Sequence, residues 1–190
     1  MTQTNELIEL FIHGNQLKRT PRTGWLQRGV SQPETVAAHT CGVAFIALVL
    51  SELVEAPIDR GRLLAMAILH DLPEGLTSDI PAPAWRRLPA GAKYGVERQA
   101  MLDILGQTGV RAPLMAYWEG LDDGSLEAAI MHDADKLDLY LQAFLYEQQT
   151  GNRWLEEFWH DDYQFHLDAA QAVYDELAAR RASANQGEGL

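Results

Sequence analysis

The stretch TVAAHTCGVAFIALVLSELVE, residues 35 to 55, is apolar on most sides of a helical projection. A helix of that kind has no wide face to give to solvent, so it belongs at the centre of a domain with other elements wrapped around it. No segment elsewhere shows the alternating pattern of a half-buried strand, and no internal repeat is present. The wrapping elements must therefore be helices, and the expected fold is all-α, a single helical bundle.

The partners of that central helix are legible as periodic segments. Leu7, Ile8, Leu10 and Phe11 set a first helix over 5 to 13, with Gly14 expected to end it. A loop rich in turn formers follows, and Ser31-Gln32-Pro33 reads as the cap and first residue of the central helix. Asp59 can cap a second apolar helix, RGRLLAMAILHD, which Pro73 ends within a turn of His70 and Asp71. Residues 74 to 94 carry Pro81, Pro83 and Pro89 and read as a loop with one short turn around Trp85, the rim of a site. Helices are expected again over 95 to 107, 112 to 120, 125 to 149 with Ser125 as cap, and 161 to 182. The domain is expected to cover 1 to 183, with 184 to 190 a disordered polar tail.

Composition narrows the function. The chain has 190 residues and is 47% hydrophobic, enough for one continuous core. It has neither the long apolar span of a membrane helix nor the start of a signal peptide, so a cytoplasmic protein without a membrane partner is expected. One cysteine, Cys41, excludes an intrachain disulfide and a thiolate cluster, so any metal must be held by histidines and carboxylates. The net charge of −12 argues against a nucleic-acid polymer as partner and for a small substrate. A phosphorylated one can still bind where cations gather, as Lys18, Arg19, Arg22 and Arg28 do in one short segment.

Four polar residues occupy apolar helical contexts: His39, His70, Asp71 and Asp135. Buried imidazoles and carboxylates are costly unless paired or bound to a cation, and several of them on different helices point to a shared one. Two imidazoles and two carboxylates make a hard to borderline site for one divalent metal ion, suited to Mn, Co, Mg, Fe, Ni or Zn. Four protein ligands in an octahedral shell leave two positions for water and a phosphate oxygen, a hydrolytic arrangement.

Four blocks in order, LKRTPRTGW (17 to 25), PETVAAHT (33 to 40), MAILHDLPEGLTSDIP (66 to 81) and DKLDLYLQAFLYE (135 to 147), resemble the HD-domain 5'-deoxynucleotidases and their relatives. The resemblance covers about two thirds of the chain, from Leu17 to Glu147. It implies an HD-domain helical bundle and a metal-dependent phosphohydrolase with His39, His70, Asp71 and Asp135 as metal ligands. It further implies Glu74 beside the activated water, Asp79 and Trp25 in a nucleotide pocket, and a homodimer. Glu74 and Asp79 are then the catalytic candidates, and Arg22, Trp25, Lys18 and Lys136 the substrate-binding ones. The register of the last block selects Asp135 over Asp133 as the fourth ligand. Asp133 lies roughly 200° around the helix and is expected to be exposed.

The chain departs from that family pattern at three positions. Ala38 stands where an acidic residue usually precedes the first histidine, which removes a candidate hydrogen bond behind the metal. Ser78 replaces a glycine ahead of Asp79, and Gly24 replaces an arginine ahead of Trp25, with Arg22 as the candidate substitute. The main reading is a 5'-deoxynucleotidase releasing phosphate from deoxyribonucleoside 5'-monophosphates. An HD phosphohydrolase for a nucleoside triphosphate, a cyclic nucleotide or another phosphate ester stays open, as does a non-catalytic metal-binding helical interaction protein. A two-metal oxygenase would need further histidine ligands, and His13, His132, His160 and His166 match no family ligand position.

Overall fold

The computed structural model describes residues 2–160 and 162–187. Among them are ten α-helices and no strand; the nearest approach to a sheet is one isolated bridge between Pro21 and Thr35. The helices are α1 (Gln3–Gln16), α2 (Thr23–Gln27), α3 (Val36–Glu52), α4 (Arg60–Leu69), α5 (Glu74–Thr77), α6 (Ala82–Trp85), α7 (Ala92–Leu105), α8 (Arg111–Glu119), α9 (Leu126–Thr150) and α10 (Asp168–Gly187). No helix among the described residues is long and apolar enough to cross a membrane.

The apolar run is α3, and it packs against α4 and α9. Val43, Ala47 and Leu50 of α3 meet Leu63 and Met66 of α4 and Ile130, Ala134 and Leu137 of α9 in the central core. Each of the larger of these side chains, the alanines aside, contributes about 1.5–3 kcal/mol when taken fully from water. On one flank α1, α7 and α8 close over Leu10, Met101, Leu105 and Trp118. On the other, α2, α10 and a 3-10 turn at Arg153–Trp159 enclose Trp25, Tyr140, Leu155 and Trp159. The site helices α3, α4 and α9 are thus the three best buried, and ligands placed on them are held rigidly.

Several sequence expectations are corrected in detail. α3 is capped by Thr35, whose hydroxyl accepts from the Ala38 backbone N–H, and not by Ser31. α1 runs through Gly14, which faces Leu72, and closes at Leu17. The 74 to 94 region contains α5, α6 and the first turn of α7. Asp59 and Ser125 do cap α4 and α9. The last helix starts at Asp168 and continues to Gly187, beyond the boundary expected at 183; residues 188–190 lie outside the described residues.

α3 is not wrapped on every side. Cys41, Phe45, Leu48 and Val49 form an open stripe along it, with Phe45 67% exposed. Asp133, expected at the surface, is fully buried. Its carboxylate accepts from the backbone N–H of His166 and Leu167, at 3.0 and 2.9 Å, and from the Tyr163 hydroxyl at 2.8 Å. The segment leading into α10 folds over that side of α9, so the residue 200° from the site meets a second set of partners and not water.

Candidate metal centre and substrate cavity

His39 stands in the first turns of α3, His70 and Asp71 where α4 ends, and Asp135 midway along α9. The α3–α4–α9 packing brings all four to one point. His39 Nε2 lies 3.1 Å from Asp135 Oδ1 and 3.3 Å from His70 Nε2. Asp71 Oδ2 is 3.2 Å from His70 Nε2 and 3.7 Å from His39 Nε2. His39, His70 and Asp135 present one donor atom each, all within 4.8 Å of one another. Asp71 is shared, because its Oδ2 also accepts from Arg22 Nη1 at 3.2 Å.

The outer nitrogen of each imidazole decides what the inner one offers. His39 Nδ1 meets Asp138 Oδ2 at 2.7 Å, and His70 Nδ1 meets the Ala67 carbonyl at 2.7 Å. Both partners are acceptors, so both Nδ1 atoms donate, and the Nε2 lone pairs of the neutral rings turn inward toward each other and two carboxylates. Lone pairs and anions facing one point are repulsive until a proton or a metal ion stands between them, so the donor set fits a divalent cation. Burial and Arg22 work against a proton on His39, but Asp135 and Asp138 outweigh them and push its pKa up to about 10. His70 is raised as well: burial opposes its charge and Asp71 overrides the burial. Burial would raise Asp71 and Asp135, yet the imidazoles and Arg22 hold both well below the usual carboxylate range.

Asp138 went unnoticed in the sequence, and it answers the departure at Ala38. The hydrogen bond behind the first histidine comes from α9, three residues after Asp135. Its approach depends on Gly42, where a Cβ would stand 2.0 Å from Asp138 Oδ1. Helical phase is the signal that could have found it: three residues is about 300°, which returns Asp138 to within about 60° of Asp135.

Beside the metal centre opens a cavity of about 520 Å³. Asp71, Glu74 and Asp135 lie in its wall, with Arg22, Lys93 and Lys136 as cations around them. Glu74 opens α5 and is buried, and its Oε2 has no protein partner. A buried carboxylate oxygen without a partner is rare and points to a bound group or water. Burial, with the charges of Asp71 and Asp79, pushes the Glu74 pKa up to about 9. Asp79 Oδ2 accepts from the Thr23 backbone N–H at 2.5 Å and from its hydroxyl at 3.1 Å, tying the loop after α5 to the start of α2. Ser78 has φ 62°, in the left-handed region that the glycine it replaces would favour.

The remaining expected residues divide. Arg22 reaches the centre through Asp71; burial opposes its charge, and the surrounding carboxylates raise its pKa further. Trp25 borders the cavity but is 1% exposed, with its indole N–H donated to Glu34 and its ring against Tyr146 and Phe158, so it supports the wall as core. Lys136 borders the cavity with its ammonium 5.2 Å above the Tyr163 ring. Lys18 is exposed and is not among the lining residues. Lys93, which the sequence reading placed in a loop and passed over, is.

Comparison with known proteins gives concordant results. A family model for the HD domain matches residues 14–174. The chain is 33% identical over 183 residues to a 5'-deoxynucleotidase, HDDC2, of Danio rerio, covering 94% of this chain and 89% of that protein. It is 36% identical over 144 residues to the HDDC2 5'-deoxynucleotidase of Homo sapiens, covering 74% and 68%. A solved structure of a conserved hypothetical protein from Pyrococcus furiosus superimposes with a TM-score of 0.77 at 34% identity, covering 92% of this chain and 99% of that one.

Proposed function

Since this chain belongs to the HD domain family, we propose that it is a metal-dependent phosphomonoesterase acting on deoxyribonucleoside 5'-monophosphates. One observation carries the reading: His39, His70, Asp71 and Asp135 converge beside an open cavity whose wall includes Asp71, Asp135, several cations and the buried Glu74, one of whose carboxylate oxygens has no protein partner. The substrate class is supported by relatives named 5'-deoxynucleotidases, of which the chain covers up to 89%.

A divalent cation held by His39, His70, Asp71 and Asp135 would supply positive charge to the phosphate and make a water molecule acidic enough to attack. Glu74 takes the proton from that water as its oxygen bonds to phosphorus and the bond to the 5'-oxygen breaks. Glu74 passes that proton to the departing 5'-oxygen, so nucleoside and inorganic phosphate leave and the carboxylate is restored. Glu74 must be ionised for this. Burial is the main cause that raises its pKa and Asp71 and Asp79 add to it, so a cation that compensates their charge draws it down. Arg22 fixes Asp71 and adds positive charge beside the phosphate. Asp79 holds the start of α2, and with it Arg22 and Trp25, against the cavity. The chain is read as a homodimer, supported by the open apolar stripe of α3.

The test is phosphate release from paired deoxyribo- and ribonucleoside 5'-monophosphates by metal-stripped protein, with Mn²⁺, Co²⁺, Mg²⁺ or Zn²⁺ restored one at a time. Metal-dependent turnover of the deoxy compounds, abolished in Asp135→Ala, is expected. Equal turnover of the ribonucleotides would overturn the deoxy preference. Full activity in Asp135→Ala would overturn the site.

A further inference from the structure

We propose that Lys93 is a substrate-binding residue of this cavity, whose ammonium takes an oxygen of the substrate's phosphate group. The inference rests on the reading of the site as a phosphomonoesterase and adds a residue to it. α7 packs against α5, and Glu74 of α5 and Lys93 in the first turn of α7 line the same cavity.

Three observations support the assignment. The first is the position itself. Lys93 is the second residue of a 14-residue helix whose first turn has no acidic residue and whose start, Gly91, provides no side-chain cap. A cation there works against the helix dipole, and local rules of this kind are broken mainly at functional sites.

The second is the arrangement of charge. Asp71, Glu74, Asp79 and Asp135 all border the cavity, and a phosphate dianion entering among them needs cations besides the metal. Arg22 is already bound to Asp71, and its side chain is 17% exposed. Arg28 is paired with Glu157 at 2.6 Å. Lys93 is 54% exposed, and its ion pair with Glu97 is long at 3.5 Å. A four-carbon stem and a loose partner let the ammonium move onto an incoming anion.

The third is the field at the metal side. The cations that draw the Glu74 carboxyl down, against burial and its acidic neighbours, are Arg22 and Lys93. Reciprocally, burial would depress Lys93, but Glu97, Asp71 and Glu74 more than offset it and keep it charged. The Trp85 ring centroid lies 5.8 Å from Nζ.

The experiment compares Mn²⁺-loaded wild type with K93M and K93R. Inorganic phosphate binding is measured by calorimetry, and KM and kcat with deoxyadenosine 5'-monophosphate. Loss of a charge-assisted hydrogen bond should weaken phosphate binding about tenfold or more in K93M. K93R should recover most of that loss, and Mn²⁺ affinity and melting temperature should not change. Wild-type phosphate affinity in K93M overturns the proposal, as does a wild type that binds no phosphate. A fall in Mn²⁺ affinity or melting temperature that accounts for the loss overturns it too, because the role is then structural. If phosphate binding weakens in K93M while the wild type leaves the deoxynucleotide intact, Lys93 is confirmed and the substrate reading is the one that fails.

Discussion

At the scale of single residues, the fit between Gly42 and Asp138 separates helix stability from metal binding. Alanine is favoured over glycine inside a helix by about 1 kcal/mol, so Gly42→Ala should strengthen α3 in isolation. Its methyl group would nevertheless stand 2.0 Å from Asp138 Oδ1 and 2.9 Å from Cγ, and the carboxylate must leave His39 Nδ1. Loss of such a partner behind a ligand typically costs about 10–100-fold in metal affinity. We expect a loss of that size in Gly42→Ala by competition with a chelating dye, and unchanged affinity would mean that Asp138 does not orient His39. The imidazoles give a second prediction, on pH. In metal-stripped protein His39 is pushed up to about 10 and His70 is raised. The stabilisation these protons provide is complete below the unfolded value of about 6.5 and is lost as pH rises through the folded one. Glu74, raised to about 9, binds its proton in the folded state over the same range and shifts stability in the same direction. A metal ion replaces these protons, so the gap in melting temperature between loaded and stripped protein should widen from pH 6 to pH 9. A constant gap would remove His39 and His70 from the ligand set.

The elements differ in how far the sequence disclosed them. The starts of α4 and α9 were legible because Asp59 and Ser125 are side-chain caps ahead of long periodic runs. The start of α3 was misread because Pro33 resembles a first helical residue, whereas Thr35 makes the capping bond. α5, α6 and the first turn of α7 lie among prolines in pieces too short for periodicity to register, so Lys93 escaped notice while the apolar context of His39 and His70 made them conspicuous. Asp133 shows the limit of reasoning from one helix. Phase placed it opposite the site, correctly, but what covers that side comes from residues 30 positions further on. Because two backbone N–H groups, the Tyr163 hydroxyl and the His166 imidazole all turn to it, Asp133→Ala would leave buried donors unpaired. The cost should be about 3–5 kcal/mol, as for other broken buried charge networks. Denaturant unfolding should show that loss with metal affinity nearly intact, since Asp133 and Asp135 point to different partners. A loss below about 1 kcal/mol, the scale of one ordinary hydrogen bond, would mean that the segment before α10 is held by its aromatic contacts instead.

For the whole molecule, the α3 run argued for complete enclosure, and the monomer does not provide it. Phe45 is 67%, Val49 45% and Leu53 60% exposed, and beside them Ile46, Leu137, Leu141, Val173 and Leu177 line an apolar groove of about 520 Å³ between α3, α9 and α10. A chain of net charge −12 repels its copies at long range, so an apolar surface of this extent is retained against that repulsion only where contact buries it. The groove shares no lining residue with the substrate cavity. Self-association and catalysis should therefore be separable by mutation. Phe45→Glu with Val49→Lys places charges in the middle of the stripe at positions that already face solvent, so the isolated fold should tolerate both. Sedimentation velocity is expected to show a dimer for the wild type and a monomer for the double variant, with metal content and phosphate release per chain retained. A wild-type monomer at micromolar concentration would leave the stripe without a second copy to cover it. A variant monomer that lost activity would mean instead that contact through α3 helps to hold His39 in place.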